Sequence, residues 1–183
     1  KIENTSKKLI LIYGGSQGSK NLINNFLLLI KTININELRK LKFIIQCPKK
    51  LEVSIEKYLL YLKVDYQIET FFYDIDNILS KTHIAITRAG AGTINDLIRH
   101  QVPSIIFPLP NSIYDHQYYN AKFLLDKKAC IVLNEITFKL DDYSKDFNKL
   151  ITDKKYFENM KESICKIIPP DTNELILKTI LHK

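Results

Sequence analysis

Arg88-Ala89-Gly90-Ala91-Gly92-Thr93-Ile94-Asn95-Asp96 lies near the middle of the chain. An apolar run ending at Pro108 follows it, and then Asp115-His116-Gln117-Tyr118-Tyr119-Asn120-Ala121. Each polar stretch comes after a short apolar run, Ile84 to Thr87 in the first case and Pro103 to Phe107 in the second. In a parallel sheet both stretches fall at the carboxyl edge, where open α/β sheets bind ligands. Gly90 and Gly92 let backbone approach a ligand closely. Thr93 and Asp96, three apart, share a helix face. The combination suits a sugar nucleotide: amides for phosphate, a carboxylate for a diol, amide side chains for hydroxyls.

The same alternation extends in both directions. Leu9 to Tyr13, Phe43 to Cys47, Tyr66 to Phe72 and Ala129 to Leu133 read as further strands. Helical spacing runs through Ser19 to Ile33, Leu51 to Leu62, Asp74 to Ser80, Thr93 to His100 and His116 to Asp126. The remainder, Leu140 to Leu181, reads as helical and broken by Pro169-Pro170. Strand–helix alternation of this kind predicts an α/β fold, a doubly wound, parallel, six-stranded Rossmann-like sheet with helices on both faces. Residues 1–183 are expected to form one domain, a length that allows a core of ordinary size.

With 45% hydrophobic and 26% charged residues, the composition is that of a soluble globular protein. The net charge of +7 suits an anionic partner such as a diphosphate or an acidic membrane surface. No dense Lys/Arg block with interleaved aromatics is present, so nucleic acid is not expected as a partner. Cys47, Cys130 and Cys165 are scattered and read as buried thiols in a reducing compartment. The longest apolar run, Phe26 to Ile30, is far too short to span a bilayer, and there is no signal-peptide pattern. Because the chain begins at Lys1, it is expected to be a piece of a longer protein.

Gly14-Gly15-Ser16-Gln17-Gly18-Ser19 joins the first strand to the first helix. A glycine turn there offers amides at a helix N-terminus, a ready anion site; its plain alternative is a tight turn without ligand. The dinucleotide fingerprint fails, since Ser16 and Ser19 occupy its second and third glycine positions. The P-loop fails as well, with Ser19 and Asn21 at two of its required positions. Asp96 in the first helical turn also fits a residue that complements the helix dipole. Asp115-His116-Gln117 fits an N-cap followed by solvated side chains. Phe71, Phe72 and Tyr73 fit either a base-binding slot or core. His83, His100 and His182 are isolated, so no metal site is expected, and no general base is visible.

Taken together these stretches resemble the C-terminal half of the MurG family of bacterial peptidoglycan N-acetylglucosaminyltransferases. Gly14 to Ser19 is similar to that family's third glycine-rich loop. Arg88 to Thr93 is similar to its Arg-Ser-Gly-Ala-x-Thr turn, and His116 to Ala121 to its Gln/His-Gln-x-x-Asn-Ala helix start. The resemblance implies the donor-binding half of a two-domain GT-B glycosyltransferase. It implies UDP-N-acetylglucosamine as donor, no cofactor and no metal.

By the same resemblance the donor site comprises Gly15, Ser16, Gln17, Gly18, Phe71, Phe72, Arg88, Gly90, Ala91, Gly92, Thr93, Asp96, His116, Gln117 and Asn120. Phe71-Phe72 would border the uracil, Ser16 and the Ala91-Gly92-Thr93 turn the diphosphate, and His116 and Gln117 the sugar. Asp96 stands where the family has a Glu for the ribose hydroxyls, one methylene short. The reaction implied is inverting attack by the C4 hydroxyl of the muramoyl sugar of lipid I, giving lipid II and UDP. The base, and contacts to lipid I, would come from an N-terminal domain that this chain lacks. The location implied is peripheral, on the cytoplasmic face of the bacterial inner membrane. Two other readings keep the fold: a non-catalytic UDP-sugar-binding subunit of a split glycosyltransferase, and a UDP-N-acetylglucosamine 2-epimerase relative.

Overall fold

Each of the six apolar runs becomes a strand in the computed structural model, which describes residues 7–14, 19–137 and 140–167. These are β1 (Lys8–Tyr13), β2 (Leu41–Gln46), β3 (Asp65–Glu69), β4 (Ile84–Thr87), β5 (Ser104–Ile106) and β6 (Cys130–Val132). Every neighbouring pair is parallel, in the order β3-β2-β1-β4-β5-β6. The winding reverses between β1 and β4. It is outside the carboxyl ends at such a reversal that doubly wound sheets take ligands.

Side chains alternate across the sheet and build two apolar layers. One face presents Ile10, Ile12, Phe43, Ile45, Ile84 and Ile86. It is covered by α1 (Lys20–Ile30), α2 (Ile35–Leu38), α3 (Lys49–Leu62) and α7 (Leu140–Thr152). The other presents Leu11, Tyr13, Ile44, Ala85 and Ile106 beneath α4 (Ile75–Leu79), α5 (Ala91–Arg99) and α6 (His116–Asp126). Helix α8 (Lys154–Cys165) closes one end, with Met160 in the first layer and Ile164 in the second. β4 is buried at every residue, which is why it reads as an unbroken apolar run.

Three boundaries differ from the sequence reading by three residues or more. Helix α1 stops at Ile30 rather than Ile33, because Asn34 caps a separate short helix by accepting from the Asn36 amide at 2.9 Å. β3 ends at Glu69 rather than Phe72. It pairs only with β2, Cys47 N donates to Glu69 O at 2.8 Å, and Pro48 has no N–H to extend the ladder. The helical tail breaks at Asp153, whose carboxylate accepts from the Tyr156 amide and starts α8. Pro169-Pro170, where the break was expected, lies outside the described residues, as does everything after Ile167.

Candidate functional site

The carboxyl ends of β1, β4 and β5 bring three helix starts to one edge: α1, α5 and α6. They are not equivalent. Ser19 caps α1, its Oγ accepting from Leu22 N at 3.3 Å. Helix α5 begins from Gly90, which has no side chain to cap with. Nothing from its own N-cap occupies the first-turn amides, and Ala91 and Gly92 are exposed. A Cβ built on Gly92 would meet nothing within 4 Å. Internal packing therefore does not require glycine there, and the open space lies where a ligand would approach. At Gly14 a Cβ would lie 3.0 Å from the Ser19 Cβ, so a larger residue there would need the start of α1 to give by a few tenths of an ångström. Gly15, Ser16, Gln17 and Gly18 lie outside the described residues.

Arg88 was expected at the ligand, yet it is 6% exposed and turned into the protein. One terminal nitrogen donates to Phe107 O at 3.1 Å and to Glu135 at 2.8 Å. The other donates to Ser19 Oγ at 2.8 Å and to Glu135 at 2.9 Å. A buried bidentate pair thus joins the ends of β4 and β5, the α1 cap and the segment after β6. Gln117 and Asn120 are also turned inward. Gln117 Oε1 accepts from Ala89 N at 3.2 Å and from Leu109 N at 3.0 Å, and Asn120 Nδ2 donates to Ala89 O at 3.0 Å. Both backbone groups of Ala89 are therefore gripped by α6, which fixes the turn that leads into α5.

His116 is exposed, with Nδ1 2.7 Å from Ile113 O. The loop before it bends sharply: Asn111, Tyr114 and Asp115 all have φ between 52° and 56°. Left-handed conformation at non-glycine residues costs on the order of 1–3 kcal/mol each. This loop also exposes Ile113 and Tyr114. A cavity of about 480 Å³ lies beside it, lined among others by Asn111, Asp115, Tyr118, Asn134 and Ile136. Neither Gly90, Thr93 nor Asp96 lines that cavity.

Asp96 falls in the second turn of α5, and the first turn contains no acidic residue. The helix-dipole reading of this residue is therefore corrected. Its carboxylate is 30% exposed and receives Arg99 at 3.2 Å. Arg99 also pairs with Asp76 of α4, which takes His100 Nε2 at 2.8 Å. Burial raises the Asp96 pKa above the usual carboxylate value, and Arg99 opposes that shift. At Asp76 the His100 hydrogen bond is the main cause of a lowered pKa. Phe72 packs against the second layer, beneath α4, α5 and α6, whereas Phe71 is half exposed and meets Tyr73 edge-on at 5.1 Å.

Sequence reading missed Glu135, 47 residues from Arg88 with no motif to link them. It also missed Gln46, which is 4% exposed. Gln46 Oε1 accepts from Gly14 N at 3.3 Å, so β2 helps to hold the first glycine turn. A polar residue closing an otherwise apolar strand was the available signal. Among the described residues there is no cluster of metal-ligating side chains, and no helix is long and apolar enough to cross a membrane.

The glycosyltransferase family 28 C-terminal domain matches residues 9–171. A protein of Campylobacter jejuni subsp. jejuni serotype O:23/36 (strain 81-176) is 33% identical over 174 residues, 95% of this chain and 48% of the relative. It is named UDP-N-acetylglucosamine--N-acetylmuramyl-(pentapeptide) pyrophosphoryl-undecaprenol N-acetylglucosamine transferase. Among solved structures, MurG of Acinetobacter baumannii matches with a TM-score of 0.82 and 23% identity, over 100% of this chain and 54% of that one. The UDP-GlcNAc 2-epimerase from Neisseria meningitidis, bound to UDP-GlcNAc, matches with a TM-score of 0.64 and 16% identity, over 97% of this chain and 45% of that one. The chain spans about half the length of the curated relatives it matches.

Proposed function

The chain belongs to the glycosyltransferase family 28 C-terminal domains, and from that premise we propose that it is the donor-binding half of an inverting N-acetylglucosaminyltransferase. Its donor is UDP-N-acetylglucosamine. The whole protein transfers the sugar to the C4 hydroxyl of the muramoyl residue of lipid I, making lipid II. The observation that carries this reading is the glycine-started helix α5 at the sheet's switch point, with Asp96 one turn further along. Exposed amides suit a diphosphate and a carboxylate suits a ribose diol.

In this reading Ser16 and its neighbours Gly15, Gln17 and Gly18 meet the diphosphate together with Ala91, Gly92 and Thr93. Charge that grows on the leaving UDP is stabilised by amides already aimed at it, a preorganised electrostatic role. Phe71 borders the uracil and His116 faces the sugar. Arg88, Gln117 and Asn120 serve by fixing the backbone that makes these contacts. The base, and the contacts to lipid I that carries the attacking hydroxyl, belong to the other half of the protein. The protein works peripherally at the cytoplasmic membrane face, where a net charge of +7 assists.

The purified chain is expected to bind UDP-N-acetylglucosamine and UDP, but not NAD, in calorimetric titration. It is expected to transfer no sugar to lipid I until the acceptor half is supplied. Preference for NAD would remove the reading. Turnover by this chain alone would place the base here, and release of an epimerised UDP-sugar would favour the isomerase alternative.

A further inference from the structure

β2 lies between β1 and β3, and its last residue, Gln46, is buried. The Gln46 amide reaches toward both neighbours. Its Oε1 accepts from Gly14 N, just past the end of β1, at 3.3 Å. Its Nε2 faces Thr70 O, just past the end of β3, at 3.5 Å. A main-chain N–H can only donate and a carbonyl can only accept, so these two partners fix which way the amide points. Main-chain pairing of β2 with β3 stops at this level: Cys47 N donates to Glu69 O at 2.8 Å, and Pro48 has no N–H to continue. Gln46 adds one more rung, made by a side chain, at the carboxyl edge of the sheet.

The choice of residue fits that task. A buried amide has given up water and needs partners in exchange. Methionine would fill the same space with no polar group, and an ionised glutamate would have no donor for Thr70 O. Glutamine offers an acceptor and a donor together, without charge. What it joins is more telling. Gly14 leads into the turn between β1 and α1, and Thr70 directly precedes Phe71-Phe72. The amide stands behind both segments rather than at their outer surface, so it acts on a ligand through the backbone it holds.

We propose, resting on the assignment of Phe71 to the uracil and of the first glycine turn to the diphosphate, that Gln46 is a positioning residue that sets the spacing between these two parts of the donor site. A ligand that occupies both parts at once gains from a spacing that matches its own length. A fragment that occupies only one part gains nothing from it. Gln46 therefore favours an intact nucleoside diphosphate over its separate pieces, without touching either end of it.

The test is titration of the full chain and its Gln46→Met and Gln46→Asn variants with UDP, uridine and inorganic diphosphate, alongside thermal melting. Methionine keeps the volume and removes both polar contacts. Asparagine keeps the amide but is one methylene too short to span both partners. Each variant is expected to bind UDP about 3- to 10-fold more weakly, the worth of one net hydrogen bond. Uridine and diphosphate, titrated separately, should hardly respond, and both variants should melt close to the unmodified chain. Should Gln46→Met fail to fold, Gln46→Asn decides.

Unchanged UDP affinity in the variants overturns the proposal alone. Weakening of UDP in step with either fragment also overturns it, since Gln46 would then serve one segment and not the spacing between two. Equal weakening of all three ligands, or a markedly lower melting temperature, overturns it as well, because the amide would then serve only the fold. The donor assignment is tested separately, in the unmodified chain. If that chain binds UDP no better than the fragments, the assignment fails, and the proposal with it.

Discussion

Glu135→Ala is expected to destabilise the chain by about 3–5 kcal/mol, the usual cost of leaving a buried charge without its partner. Arg88 and Glu135 have side chains only 7% and 9% exposed, and the carboxylate takes both terminal nitrogens of the guanidinium. Without it, Arg88 retains Phe107 O and Ser19 Oγ, which cannot neutralise a charge. Chemical denaturation of the two proteins measures the loss. Replacing both partners together, as in Arg88→Met with Glu135→Leu, should cost far less, because no charge is then stranded. A Glu135→Ala midpoint equal to that of the unmodified chain would mean that water reaches the guanidinium.

The second large effect is on binding. Asp96→Ala is expected to weaken UDP by on the order of 1–3 kcal/mol, the worth of hydrogen bonds to a charged group. Dideoxy-UDP, which lacks both ribose hydroxyls, should hardly respond. Asp96→Glu should keep or improve UDP binding. The pH dependence has a definite sign. Burial raises the Asp96 pKa, so the ionised carboxylate is present above that raised value and is lost as pH falls through it. The advantage of UDP over dideoxy-UDP should therefore fade on acidification sooner than an exposed aspartate would allow. Since both nucleotides carry the same diphosphate, their ratio removes the phosphate's own titration. Parallel weakening of both nucleotides by Asp96→Ala would detach this residue from the ribose.

Much of this architecture is legible in the chain because its central strands are covered on both faces. β1 and β4 admit almost nothing but apolar residues, and such runs stand out. β3 is an edge strand with exposed and half-buried residues in alternation, and the aromatic pair Phe71-Phe72 extended it falsely. The glycine turns were legible because a strand that ends in glycine and a helix that follows leave few other uses for the segment. Side-chain direction was not legible. Gln117 and Asn120 have the composition of sugar-binding residues, and only the packing of α6 against the Ala89 turn reveals that their amides face inward. Arg88 and Glu135 meet through the sheet's topology, which no local spacing encodes.

The grip of α6 on Ala89 bears on what position 89 can tolerate. Gln117 and Asn120 answer to a main-chain amide and carbonyl, groups that every residue at position 89 provides. The bonded atoms, Gln117 Oε1 and Asn120 Nδ2, are therefore engaged whichever residue precedes Gly90. What looks like a recognition signature in the sequence is thus, at these two side-chain atoms, a clasp on the main chain that leads into α5.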